Sequence, residues 1–281
     1  VLKDILSSGL FSTVTLSQIY RQNNESLIAW NAHQINHGKM PEFNRKNGDF
    51  FLIKRADLQS CAETVVELCA KRLPNAYGID PLRDIQVLIP AKKGICGALH
   101  MNELLQETLN PPESYKREFF INNTVYREGD RIMQIKNNYK IKWHRNDCPE
   151  EEGEGIFNGE MGEIAQIHEK AREITVLFDD GRFAVYSFSE LGQLEHCYAI
   201  TVHKSQGSEF PIVILPLVSG APSLMTRNLL YTAITRAREQ VYILGRSRCV
   251  YDMVANGQVK KRYSGLSTFI EELAPLIGGA P

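Results

Sequence analysis

"AITVHKSQGSEFPIVILPL", residues 199–217, sets Thr201, His203, Lys204, Ser205, Gln206 and Glu209 around Gly207 and then enters an almost unbroken apolar run. That run is far shorter than the roughly 20 residues of a membrane span, and it reads as a strand buried on both faces of a parallel sheet. Six polar side chains directly before such a strand stand at one end of the sheet. A second segment repeats the arrangement: "LLYTAITRAR" (229–238) places Arg236 just before the strand "QVYILG". A lone helical arginine is ordinarily a solvated charge. Here two neighbouring strands bring polar groups to a common end.

Working outward, residues 1–112 alternate helix and strand. "LKDILSSG" has helical spacing with Gly9 as a stop, and "ESLIAWNAHQINHGKMP" is a helix ending at Gly38 and Pro41. A strand "DFFLIK", a long helix over 57–73, the buried strand "IQVLIPA" (85–91) and the helix "GALHMNELLQETL" follow. The character changes at "NPPESYK" (110–116). Short alternating segments then run to about 193, with "DDG" (179–181) as a hairpin turn. After 195 the α/β pattern returns, with helices carrying "TVHKSQ" and "RNLLYTAITRAR", and a terminal helix "LSTFIEELAPLI". The expected fold is therefore α/β: residues 1–112 and 194–281 form one discontinuous domain around a parallel sheet, and 113–193 form an inserted small antiparallel barrel of the SH3-like size class. "EEEGEG" (150–155) is expected to be a mobile loop.

Composition limits the partners. The chain has 281 residues, 43% of them hydrophobic, enough for about two domains. Lys and Arg number 32 against 33 Asp and Glu, so a nucleic-acid site has to be a local patch. Residues 116–145 hold eight basic and three acidic side chains, whereas 146–193 hold three and twelve, which suggests one basic face. The six cysteines are scattered without a C-x-x-C pair or zinc spacing, which points to a reduced, cytoplasmic protein with no membrane segment. The chain opens on Val1 in the first turn of a helix and is expected to be a piece of a longer protein.

"TVHKSQGSEF" followed by "LLYTAITRAR" closely resembles motifs V and VI of superfamily 1 helicases. "IYRQNNESLIAWNAHQINHGKMP", "VLIPAKKGICGALHMNELLQ", "EGDRIMQIKNNY" and "FNGEMGEI" resemble the RecD-type branch, the exodeoxyribonuclease V alpha-subunit-like proteins, over nearly the whole chain. The resemblance implies the second of two RecA-like motor domains, with ATP and Mg2+ held mainly by a missing N-terminal RecA-like domain of the same protein. It implies that Arg236 and Arg21 reach the γ-phosphate, where a guanidinium stabilises spread charge, commonly worth ~10³ or more in rate. It also implies that Tyr20 stacks on adenine and that Gln206, Gly207 and Glu209 form the nucleotide-side loop. Thr201 and His203 would face single-stranded DNA. The implied activity is ATP-dependent translocation, 5′ to 3′, in recombination and repair, alone or with other exonuclease subunits.

Further strand contacts are expected from Lys92 and Lys93, after a parallel strand, and from Asn102 on the next helix. In the barrel, Arg131, Lys136, Asn137, Asn138 and Tyr139 combine charge with a stacking ring. Two other classes stay open: a non-catalytic single-strand-binding module, and a protein-docking module acting through the barrel's acidic region.

Several features are assigned no chemistry. No G-x-x-x-x-G-K-[ST] is present, the one Gly-Lys pair being Gly38-Lys39 before Met40, and no Asp-Glu pair follows an apolar strand. His33 and His37 have zincin spacing, but Gln34 stands where the general-base Glu belongs, so no metal site is expected. His203 and Ser205 lack a serine elbow. Trp30 and Trp143 read as packing residues, and Asn158-Gly159 as a tight turn.

Overall fold

The structure is a computed structural model that describes residues 1–14, 26–121, 123–145, 148, 150–258 and 265–273. Its described residues fall into two compact units, one within residues 26–257 and one made of residues 1–14, 258 and 265–273. In the terminal unit, α1 (Leu2–Ser8) closes at Gly9 in the left-handed conformation and contacts the last helix, near Leu266–Leu273.

The larger unit begins with α2 (Leu27–Asn36), β1 (Phe50–Lys54) and α3 (Leu58–Glu67). A π-helical turn over Leu68–Arg72 carries the chain into α4 (Leu73–Tyr77) and α5 (Pro81–Asp84), so the helix expected over 57–73 runs four residues further. Strand β2 (Ile85–Ile89) and α6 (Ala98–Leu109) precede nine short strands: β3 (Glu118–Ile121), β4 (Thr124–Arg127), β5 (Arg131–Gln134), β6 (Asn138–Arg145), β7 (Glu152–Ile156), β8 (Met161–His168), β9 (Glu173–Phe178), β10 (Arg182–Ser187) and β11 (Leu194–His196). Then come β12 (Ala199–Thr201), β13 (Phe210–Leu217), α7 (Arg227–Ile234), β14 (Ala237–Gly245) and α8 (Ser247–Ala255), with α9 (Leu266–Leu273) in the terminal unit.

Strands from both sides of the barrel join in one parallel sheet of order β1-β14-β13-β2-β12. Burial explains the apolar runs. Leu88, Val213, Leu215, Val241 and Ile243 face a core shared with α2, α7 and α8. The alternate residues Val87, Ile89, Ile212, Ile214 and Leu244 face a second core shared with α3 and α6. Each fully buried aliphatic side chain contributes about 1.5–3 kcal/mol relative to exposure; the one polar side chain buried in β2, Gln86, donates to the carbonyls of Cys197 and Tyr198. The carboxyl end of β14 demands a glycine: Gly245 has φ +145°, and a Cβ there would lie 2.2 Å from the Leu217 carbonyl oxygen.

The seven strands β11-β5-β8-β9-β10-β6-β7 form an antiparallel sheet, and β3 and β4 make a separate hairpin. Ile132, Ile141, Ile156, Ile164, Ile174, Ala184 and Leu194, one from each of the seven strands, enter a single core, which gives the sheet its barrel character. The hairpin turn read at 179–181 joins β9 to β10. The acidic "EEEGEG" segment is not a loop. Most of it is β7, paired with β6 so that Glu154 lies opposite Lys142 and Gly153 opposite Trp143. Opposite charges across the ladder and a glycine beneath an indole favour the pairing that composition alone disguised.

A buried carboxylate ties barrel to sheet. Asp130, fully buried, accepts hydrogen bonds from Gln106 Nε2 (2.7 Å), Asn110 Nδ2 (2.8 Å), the Arg127 amide (2.7 Å) and Tyr198 Oη (2.9 Å), and pairs with His196 Nε2 at 2.9 Å. These partners come from α6, the barrel and the segment between β11 and β12. Removing the carboxylate strands several buried donors at once. Asp130→Ala is expected to lower unfolding free energy by about 3 kcal/mol or more, measured by urea denaturation; a loss near zero would show that water replaces the hub.

Candidate functional site

The connection 202–209 is a series of tight turns, not the helix that the sequence suggested. Lys204 N donates to Thr201 O (2.9 Å), Ser205 N to Val202 O (3.3 Å) and Ser208 N to Ser205 O (3.1 Å), all spanning three residues. Ser205 is fully buried and its hydroxyl donates to Val202 O at 2.8 Å, so this serine is structural. Gly207 at φ +94° turns the chain where other residues are strained. His203, Gln206, Gly207 and Glu209 are exposed, and Thr201 is half-buried.

This turn series joins the two ends of the sheet. Its start lies at the carboxyl ends of β2 and β12, where Val202 N donates to Ile89 O (3.1 Å). Its finish lies at the amino ends of β13 and β14, where Phe210 N donates to Arg236 O (2.8 Å). The five residues of β2 separate those ends by about 13 Å.

Arg236 sits in the turn between α7 and β14, not on the helix. The helix stops at Ile234 because Thr235 is its cap. The half-buried guanidinium donates from Nη1 to Ser208 O (3.1 Å), from Nε to Thr232 O (3.3 Å) and from Nη2 to Thr235 Oγ1 (3.4 Å). Three of its five N–H groups are engaged, and no described carboxylate pairs with it. The protein thus holds a fixed cation with two donors to offer an anion. Tyr20 and Arg21 lie outside the described residues.

At the opposite end, Lys92 and Lys93 follow β2. Lys93 is exposed, whereas Lys92 Nζ lies 3.2 Å from Glu195 Oε1. Lys204 Nζ lies 2.6 Å from Glu195 Oε2. Burial alone would raise the Glu195 carboxyl, but the two ammonium groups outweigh it and hold the group below its ordinary range. Beside this cluster a groove of about 520 Å³ runs between α6 and the barrel, with Leu99, Glu103, Thr124, Glu195 and His196 in its walls.

Geometry removes two residues from the expected DNA surface. Asn102 is 9% exposed, and its amide is committed to β12: Nδ2 donates to Ala199 O and Oδ1 accepts from Ala199 N. Arg131 turns inward to a bidentate pair with Asp179, at 2.5 and 2.6 Å. Asn138 is tied within the barrel, donating to Gln193 and accepting from the Lys140 amide. The basic face suggested by charge counts is partly neutralised, since Arg127, Arg131 and Arg145 each pair with a carboxylate. Lys136 and Tyr139 remain exposed, and Tyr139 meets Phe157 edge-on at 5.5 Å between ring centroids. Phe157, 40% exposed, escaped the sequence reading. Its position just before the Asn158-Gly159 turn was the available signal. Lys204 belongs to the polar cluster noted in the sequence, but its pairing with Glu195 gave no signal, because it joins separate elements.

Among the described residues no group of three His, Cys, Asp or Glu side chains is placed to hold a metal ion, and no helix is long and apolar enough to cross a membrane. The rings of His33 and His37, at the carboxyl end of α2, lie 4.3 Å apart with their planes tilted by 39°.

Residues 101–178 match the family described as the ATP-dependent RecD-like DNA helicase SH3 domain, and residues 196–244 match the UvrD-like helicase C-terminal domain. The ATP-dependent RecD2 DNA helicase of Deinococcus radiodurans is 34% identical over 90% of this chain and 31% of that protein. The RecBCD enzyme subunit RecD of Buchnera aphidicola subsp. Schizaphis graminum is 29% identical over 59% of this chain and 25% of its own. The chain therefore spans under a third of the length of these relatives. A crystal structure of a Bacteroides Pif1 helicase with ADP-AlF3 and ssDNA aligns with 94% of this chain and 57% of its own at a TM-score of 0.49 and 17% identity.

The turn at Gly207 has its own test. No atom lies within 4 Å of a Cβ added there, so Gly207→Ala carries only the conformational cost, about 1–2 kcal/mol. Thermal unfolding measures it; an unchanged midpoint would mean the 202–209 turns are not fixed as described.

Proposed function

With the SH3 domain of RecD-like helicases and a UvrD-like helicase C-terminal domain in one chain, the protein belongs to the RecD-like branch of superfamily 1 helicases, and from that premise we propose that it forms the second motor domain of an ATP-dependent DNA helicase moving along single-stranded DNA. In this reading residues 1–112 and 194–281 are the RecA-like domain and 113–193 the inserted barrel. Movement is 5′ to 3′, by resemblance, and serves recombination and repair in the cytoplasm.

The observation that carries the proposal is Arg236, a half-buried guanidinium with no described carboxylate partner, bonded to the Ser208 carbonyl at one end of the 202–209 turns. A bound γ-phosphate is the anion it suits, because charge developing on the phosphoryl oxygens meets a donor that needs no rearrangement. Gln206, Gly207 and Glu209 are assigned to the same nucleotide-facing stretch, and Arg21 and Tyr20 join it by resemblance. Thr201, His203, Lys92 and Lys93 are assigned to the DNA strand, with Lys136 and Tyr139 on the barrel. A shift of Arg236 on hydrolysis pulls Ser208, and the turns transmit it across the depth of the sheet to Lys204 and His203.

ATP's phosphate loop and Mg2+ are assigned to a preceding RecA-like domain of the same protein. The reason is chemical: this chain contains no Walker A sequence to cradle the phosphates.

Two outcomes are expected. The chain alone gives no DNA-stimulated phosphate release in a coupled assay; turnover by the purified chain would overturn the division of labour. In the full-length protein, Arg236→Ala lowers kcat about 10³-fold or more with nucleotide affinity nearly unchanged. Arg236→Lys is equally poor, because a single ammonium lacks the forked donors. Wild-type turnover in either variant would remove Arg236 from the site.

A further inference from the structure

At the carboxyl end of the parallel sheet, two lysines from different loops share one carboxylate. Lys92 follows β2 and Lys204 belongs to the 202–209 turns. Glu195 reaches both from β11, giving one oxygen to each ammonium at 3.2 and 2.6 Å. β11 belongs to the barrel's sheet, where its ladder partner is β5. The carboxylate thus places two anionic oxygens and one negative charge between two cations. A phosphodiester presents the same pattern. None of the three groups is deeply buried, their side chains being 54% (Lys92), 35% (Lys204) and 35% (Glu195) exposed. Ion pairs at such exposure add little to folding, so the fold itself does not account for the arrangement.

We propose that Glu195 sets the affinity of this surface for single-stranded DNA by occupying, between Lys92 and Lys204, the place of a backbone phosphate that must displace it. The inference rests on the reading that this end of the sheet meets the strand. It adds a residue that works against binding: the carboxylate repels an arriving phosphate and engages the two lysines that would otherwise attract it. The two lysines hold the carboxyl below its ordinary range, so Glu195 is ionised at neutral pH and the competition is always present. A strand held moderately rather than tightly suits a protein that has to release each phosphate as it advances.

Fluorescence anisotropy with a labelled oligo-dT, using the whole chain at about 100 mM salt, tests this. Glu195→Gln and Glu195→Ala are expected to bind roughly three- to tenfold tighter than wild type, the range that two exposed ion pairs allow. Glu169→Gln, the same charge change on an exposed barrel turn, controls for net charge and is expected to leave affinity nearly unchanged. On a Lys92→Ala, Lys204→Ala background, which binds more weakly than wild type, Glu195→Gln is expected to add nothing. If wild type binds and both Glu195 variants bind equally or more weakly, or Glu169→Gln tightens binding as much, the role of Glu195 is overturned while the strand-binding reading stands. If no variant and no wild-type protein binds, both fall. Failure of both Glu195 variants to give a wild-type thermal transition also overturns the inference, because it requires the bridge to be dispensable to the fold.

Discussion

The arrangement depends on Asp130. One buried carboxylate gathers donors from α6, from the turn before β5 and from the residues that lead out of the barrel into β12. A buried charge is costly unless its hydrogen-bonding capacity is met, so these elements are held in one mutual position rather than several. That position fixes where β11 lies, and β11 carries Glu195 to the carboxyl end of the parallel sheet. Tyr198, with its hydroxyl on Asp130, is adjacent to β12, whose Ala199 is clasped by Asn102. The barrel is thus set against the sheet through polar contacts at the junction where the chain leaves it.

A second constraint is the short passage from β12 to β13. A parallel strand must re-enter the sheet at its amino end, and this chain makes the crossing in turns rather than a helix. Every residue of that passage therefore lies at a definite depth along the sheet. Lys204 meets Glu195 near one end, and Ser208 meets Arg236 near the other. Two groups of polar residues that are close in sequence are consequently kept apart in space but joined by a stiff, hydrogen-bonded tether.

Much of the fold was legible in the text. The apolar runs at 85–89 and 210–217 predict doubly buried strands, and both are central in the sheet. The "DDG" turn predicts the β9–β10 hairpin because only a tight turn with positive φ, here at Gly181, closes it. Two readings failed for identifiable reasons. The segment 150–155 looks like a solvated acidic loop until its partner strand is known, and "TVHKSQ" has helix-forming residues but is drawn into turns by Gly207 and by the short span to β13.

The sequence by itself determined the alternation of buried strands and helices, the interruption by a small antiparallel unit and the motif positions around Arg236 and Gln206, because these follow from local periodicity and residue chemistry. Only the tertiary structure decided which polar residues are available. Asn102 and Arg131 look like ligands for a strand in the text, yet one is committed to the Ala199 backbone and the other to Asp179. Glu195 looks unremarkable, yet it bridges Lys92 and Lys204. The physical reason is that a polar side chain's function depends on which of its hydrogen-bonding groups remain unspent, and its competitors for them lie up to about a hundred residues away.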